Sequence, residues 1–252
     1  SGIPAIAKIG PLNFLGGTVW KPSNNLFGIL PMILGSIYVT AGAIIIGVPI
    51  GIFMAVFMAR FCPGSLYKIL KPAVELLAGI PSIVYGFFGM EVLVPLLRNT
   101  FAAFNCKGNS MLAASILLGI MILPTIIGVS ESAIRAVPNS YYEGSLALGA
   151  DHERSVFFAV LPAAKSGILA GVVLGIGRAI GETMAVIMVA GNQPAMAHSI
   201  FKGVRTMTAN VVIEMGYATG IHREALIATG VVLFVFILLI NLLFSVIKRR
   251  EK

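Results

Sequence analysis

The sequence predicts an all-α, polytopic membrane protein. Its composition is the first reason: of 252 residues 58% are hydrophobic and 11% charged, against roughly 25% charged in an ordinary soluble domain. Mean hydropathy is +0.96, more apolar surface than a soluble chain of this length can hide, so much of it must face membrane lipid. The second reason is distribution. No charge falls between Lys21 and Arg60, and Met111 to Ser130 is again charge-free. The third is the basic tail, Lys248-Arg249-Arg250-Glu251-Lys252, which closes an apolar run. These features exclude a soluble enzyme, a disordered tail and a nucleic-acid module. The formal net charge of +8 reads as topology-setting lysine and arginine rather than a surface for nucleic acid.

Residues 1–27, with Pro4, Pro11, Pro22 and Trp20, read as a loop-like extracytoplasmic segment, and 28–252 as the transmembrane domain. The first span is expected from Ile29 to Ala59, with Pro49 as a kink site. The second, Pro72 to Leu97, contains Glu75, Pro81, Glu91 and Pro95 and reads as broken or tilted. Met111 to Ser130 is the third, Pro162 to Ala190 the fourth and Ala225 to Ile247 the fifth. Residues 131–161 read as polar loop, and 191–224, with the amphipathic run Thr208 to Met215, as a structured segment, external or re-entrant. A cytoplasmic tail places loops 60–71 and 131–161 inside as well. It also places Ser1 outside with no visible leader, which predicts a sixth span ahead of it. Cys62 and Cys106 then lie on opposite sides and should not pair. His152, His198 and His222 are scattered, read as surface residues and make no metal set. No cofactor is implied.

The fourth span carries an unusual stripe. At 100° per residue Gly167, Gly171, Gly175, Arg178 and Glu182 share an arc of about 80°, opposite Leu169, Val172, Val173, Ile176 and Ile180. Small residues four apart let helices approach closely in lipid, so the glycine face is expected against protein. Arg178 lies about 24 Å along the helix from Pro162, where a lone arginine costs on the order of 3 kcal/mol. Glu182 stands at the i,i+4 spacing of an ion pair. Two readings stay open: a neutralised pair that cements a helix interface, or a pair that lines or gates a polar path. A guanidinium matches an oxyanion geometrically.

Residues 138–162 read as a compact helix–turn–helix. Ser140 and Glu143 have capping-box spacing for a helix from Tyr141 to Leu148. Gly149 is placed to stop it. Asp151 is placed to cap a second short helix ending near Leu161-Pro162. On physical grounds this is either a tidy connection or a docking element.

Glu143-Gly144-Ser145, Gly149, Ala159 and Leu161-Pro162 resemble the cytoplasmic motif of ABC-importer membrane subunits: Glu-Ala-Ala, three residues, Gly, nine residues, Ile, one residue, Leu-Pro. The departures, at Gly144, Ser145 and Ala159, exchange small for small or trim one side chain. Gly175 to Asn192, Glu75 to Gly86 and Arg205 to Gly216 are similar to the phosphate-specific ABC importers, nearest the C-type of their two permeases. The resemblance runs from about Phe27 to Ile247. It implies a type I ABC importer transmembrane domain, six helices in the full subunit, and a permease for phosphate. It implies Arg178 and Glu182 on the solute path, and Glu143, Gly149, Leu161 and Pro162 in a coupling loop. The implied partners are a second homologous permease, two cytoplasmic ATPase subunits and an extracytoplasmic phosphate-binding protein, in the cytoplasmic membrane. Another oxyanion (molybdate, tungstate or sulfate), an ATP-independent channel or carrier, and a passive membrane anchor are the competing readings. The sequence has no Gly-x-x-x-x-Gly-Lys-Ser/Thr loop and no nucleophile–base arrangement, so hydrolysis is assigned to a partner. Gly175, Gly177 and Gly181 read as packing.

Overall fold

A computed structural model describes residues 2–104 and 106–250. In chain order the helices are α1 (Gly2–Ile9), α2 (Pro11–Gly16), α3 (Leu30–Val56), α4 (Gly64–Gly79), α5 (Ser82–Phe88), α6 (Val94–Thr100), α7 (Met111–Arg135), α8 (Asn139–Ala147), α9 (His152–Ser155), α10 (Leu161–Gly181), α11 (Met184–Val189), α12 (Met207–Met215) and α13 (Gly220–Arg250). A small antiparallel hairpin pairs β1 (Trp20–Lys21) with β2 (Leu26–Phe27). Four helical stretches are long and apolar enough to cross a membrane: Leu30–Phe61, Met111–Arg135, His152–Gly181 and Gly220–Ile240. Gly64–Gly79 and Ser82–Thr100 together also have the length and hydropathy of a broken span or a re-entrant loop, bent by 98° at Pro81. Of the basic tail, Glu251 and Lys252 lie outside the described residues, as does Ser1.

The middle helix is α7. In its most apolar stretch 61% of residues are buried within the chain, against 22–33% for the other three straight spans. It lies between α3 and α10, and both present glycines to it. A Cβ on Gly42 would meet the Ser115 side chain; one on Gly47 would meet the Gly119 carbonyl and Ile122; one on Gly51 would meet Ile126. From the other side Gly167 lies against Ala133, Gly171 against Ser130 and Val129, and Gly175 against Ile126. Gly177 and Gly181 have nothing within 4 Å among the described residues of this chain. Leu117, Leu118, Met121, Ile122 and Ile126 of α7 are all fully buried.

Three helical stretches widen by one residue into π-turns, at Phe57–Phe61, Gly89–Leu93 and Val156–Val160. In each, the next amide reaches five residues back: Cys62 to Phe57, Val94 to Gly89 and Leu161 to Val156. The residue after that amide is in every case a proline, Pro63, Pro95 or Pro162. Proline has no N–H and its ring presses on the carbonyl four residues back; widening the turn moves that carbonyl aside.

Several boundaries differ from expectation for identifiable reasons. Residues 1–27 are folded: Phe14, Trp20 and Phe27 are buried with Met32, Met207, Ala225 and Leu226, so long-range apolar contact overrides three prolines. The third span runs one turn further, to Arg135. The second short helix of loop 138–162 does not end at Pro162; the π-turn carries it into α10. The fourth span is interrupted, α10 ending at Gly181.

Overpacking the α10–α7 seam tests this arrangement. Gly175→Leu should lower stability by about 1–3 kcal/mol, read as a lower melting temperature in detergent. Gly177→Leu, on the open side of the same helix, should melt like the parent, and equal losses in both would contradict the seam.

Candidate functional site

Two interrupted spans meet inside the bundle. At the first break Pro81 cannot donate to the Leu77 carbonyl, and the Tyr85 hydroxyl donates to it instead at 2.8 Å. At the second, Glu182 leaves the helix with an extended backbone (ψ 134°). Its Oε1 accepts from the amides of Thr183 at 3.0 Å and Ala185 at 3.2 Å, so the carboxylate caps α11. The expected i,i+4 ion pair is therefore absent among the described residues: a side chain beyond the end of α10, turned onto α11, is not one turn from Arg178. Arg178 instead donates one long bond, 3.4 Å, to Thr125 Oγ1 on α7. The breaks adjoin because α11 packs on α5, where a Cβ on Gly86 would meet Ala185 and Met188. Arg178 is half-buried, and most of its donors are unspent.

A third element reaches this point. The amphipathic run is α12, and it starts within the bundle: Thr208 Oγ1 donates to the Glu182 carbonyl at 3.2 Å, and Ser36 Oγ of α3 accepts from the Met207 amide at 3.0 Å. Thr206 caps its first turn through the Ala209 amide. The run expected as external or re-entrant thus holds a short helix whose N-terminus is bonded to α3 and to the Glu182 break.

Above α12, at the end of the bundle carrying the N-terminal segment (the upper end), lies a buried polar knot. Glu214 accepts from Trp20 Nε1 at 2.8 Å and from the Arg205 guanidinium, and lies 2.8 Å from His222 Nε2. Arg205 also donates to the Asn192 carbonyl and to Asn210 Oδ1, both at 3.0 Å. The knot joins the hairpin, the segment after α11, α12 and α13. The surface reading of His222 was wrong: it is half-buried against Trp20 and Phe27.

The opposite, lower end carries loop 138–162. The Ser140–Glu143 capping box is not formed; α8 begins at Asn139 behind Pro138, whose side chain makes no cap. Pro138 stiffens the entrance to the helix and leaves Glu143 exposed. Gly149 has φ +88°, and Ala150 N reaches back to the Ser145 carbonyl, a left-handed helix stop that favours glycine. Asp151 caps α9 through the Arg154 amide at 2.7 Å. Tyr142 Oη and His152 Nδ1, 2.7 Å apart, clamp α8 to α9. Val137, Val156, Val160 and Ala164 are buried beneath, with Leu161 packed against them and Pro162 exposed. Leu148, beside Gly149, is 91% exposed, a bare apolar side chain at the tip. The two cysteines are free, one near each end.

Residues 47–252 match the family described as binding-protein-dependent transport system inner membrane component. A probable ABC transporter permease protein of Bacillus subtilis (strain 168) is 41% identical over 247 residues, covering 94% of this chain and 79% of that protein. The phosphate transport system permease protein PstC of Mesorhizobium japonicum is 36% identical over 254 residues, covering 94% and 77%. A probable phosphate transport system permease protein of Methanocaldococcus jannaschii is 31% identical, covering 96% and 83%. Among solved structures, a chain of the MetNI methionine ABC transporter in an inward-facing conformation superposes with a TM-score of 0.71 at 20% identity, over 93% of this chain and all of that one. A chain of an amino acid ABC transporter gives 0.62 at 19% identity, covering 88% and 93%. At those identities the likeness concerns the fold, which is that of a type I ABC importer permease.

The upper knot has a measurable weight. Glu214→Ala leaves Arg205 without its counter-ion in a buried setting, a loss of about 3–5 kcal/mol. Trp20→Phe removes one hydrogen bond and should cost about 1 kcal/mol. Thermal unfolding and proteolysis within residues 1–27 should rank the two in that order.

Proposed function

We propose that this chain, which belongs to the family of binding-protein-dependent transport system inner membrane components, is a permease subunit of an ATP-driven importer of inorganic phosphate. It sits as a multi-pass protein in the cytoplasmic membrane. The lower end is cytoplasmic and the upper end extracytoplasmic, an assignment supported by the basic run Lys248-Arg249-Arg250 that closes α13 together with Arg60, Lys68, Lys71, Arg135, Arg154 and Lys165, nine against seven Lys and Arg at the upper end. Its partners are a second homologous permease, two cytoplasmic ATPase subunits and an extracytoplasmic phosphate-binding protein. The names of its relatives support the solute; the observation that carries the reading is Arg178.

Arg178 lies deep in the bundle, without an ion-pair partner among the described residues. A carboxylate lies four residues away in sequence, yet it is spent on the α11 cap. The guanidinium therefore keeps donors for an incoming anion and matches two phosphate oxygens at once. Glu182 serves the path by holding the break: its carboxylate satisfies the Thr183 and Ala185 amides at the start of α11.

Coupling falls to loop 138–162. Leu148 at the tip and the exposed face of α8 with Glu143 offer a surface for the ATPase. Gly149 sets the turn, while Leu161 and Pro162 join the loop rigidly to α10, whose Gly167, Gly171 and Gly175 seat it on α7. Closure of the ATPase pair on ATP moves α8, and the bundle exchanges an inward-open for an outward-open arrangement. Nucleotide drives that exchange because it binds the two states unequally. ATP hydrolysis belongs to the partner, and this chain contributes no catalytic group.

Uptake of radiolabelled phosphate by proteoliposomes holding the whole complex tests both halves. Arg178→Ala should cut uptake at least tenfold with the ATPase still copurifying, and Arg178→Lys should recover only part of it. Leu148→Asp should release the ATPase. Uptake that molybdate or sulfate competes away, with phosphate a poor competitor, would reassign the solute. Parental uptake in Arg178→Ala would remove the arginine from the path.

A further inference from the structure

α4 is weakly held by packing. Of its sixteen residues only Val74 is buried, against Met58 and Ile127. Its lower half is tied down by a polar joint instead. Glu131 of α7, 1% exposed, accepts from Tyr67 Oη at 2.7 Å and Lys71 Nζ at 2.8 Å, both on α4, and from Arg135 Nε at 2.8 Å. Arg135 stacks over the Tyr67 ring, 4.5 Å from its centroid. It also donates at 2.7 Å to the Met58 carbonyl, which the π-turn at the end of α3 leaves without its helical donor. Arg60 returns the contact, donating at 3.1 Å to the Ile134 carbonyl, whose helical donor would have been Pro138. Arg135 is the last residue of α7, and α8 begins at Asn139. The joint thus sits at the root of loop 138–162 and grips one end of α4; the other end is the Pro81 break, beyond which α5 packs on α11.

We infer that Glu131 is a positioning residue that pins α4 to the root of the loop, so that a displacement of α8 travels along α4 to the Pro81 break beside Arg178. This rests on the transport reading and adds the route by which the loop acts. One apolar side chain would let α4 slide. A buried carboxylate with three directed donors does not, because parting strands the Glu131 charge, 1% exposed, without its donors. The two ends of α7 and α4 therefore move as one piece.

The complete complex in proteoliposomes, with phosphate uptake and ATP hydrolysis measured in the same vesicles, tests this. Glu131→Gln should assemble and hydrolyse ATP while phosphate moved per ATP falls at least tenfold; Lys71→Met should show a severalfold fall. Spin labels at Ser65 on α4 and Ser140 on α8 should keep their separation with and without nucleotide in the parent, and lose that constancy in Glu131→Gln. A parental phosphate-to-ATP ratio in Glu131→Gln, or a parental α4–α8 separation that changes with nucleotide, overturns the inference. Should Glu131→Gln not assemble, Lys71→Met, whose head is partly exposed, decides by the same ratio. A parent complex that hydrolyses ATP without taking up phosphate would instead sink the transport reading.

Discussion

Close approach of α7 to the glycine-bearing faces of α3 and α10 is the constraint on which the rest of this structure depends. In lipid, apolar side chains gain little by leaving their surroundings, so helices associate through van der Waals contact and a few polar links. Gly42, Gly47 and Gly51 on one side, and Gly167, Gly171 and Gly175 on the other, let backbone and short side chains touch where a Cβ would not fit. That three-helix slab is the rigid part of the chain. Everything that departs from regular helix, including both breaks, the N-terminus of α12 and loop 138–162, is attached to its edges.

Polar chemistry is distributed accordingly. The slab needs almost none. At each end of the bundle one buried carboxylate gathers donors from distant parts of the chain: Glu214 above, with Trp20, Arg205 and His222, and Glu131 below, with Tyr67, Lys71 and Arg135. Between them Arg178 stands apart, a charge with donors left over. The contrast is informative. Two carboxylates are saturated and serve architecture, while the deep guanidinium makes one long hydrogen bond among the described residues.

How much of this was legible depended on the range of the interaction. The glycine stripe, the αL stop at Gly149 and the Asp151 cap are local patterns and could be read directly. Three of the five spans followed from charge-free length, and the second and fourth from apolar runs that carry a few charges. Glu182 could not be placed by a helical wheel, because a wheel assumes that the helix continues. Its departure is fixed by Thr208, 26 residues later, and by the seating of α11 on Gly86. Glu131 and Glu214 were invisible as hubs because Tyr67 and Lys71 for the first, and Trp20 for the second, lie 60 to 194 residues away. The fold of residues 1–27 was hidden in the same way, since Phe14, Trp20 and Phe27 find their neighbours on α13. The one local clue passed over was Glu131–Arg135, at i,i+4 spacing at the end of a charge-free run.

Prolines give several of these side chains their purpose. Pro81 leaves the Leu77 carbonyl to Tyr85, and Pro138 leaves the Ile134 carbonyl to Arg60. In each case the second residue supplies a donor that the proline cannot. The importance of Tyr85 and Arg60 is therefore conditional. A related chain that replaced Pro81 with a residue bearing an amide hydrogen would close its own helix at that carbonyl and could dispense with the phenol. One that kept the proline could not. Such pairs are units of inheritance rather than independent positions, and a change at either member has meaning only in the company of the other.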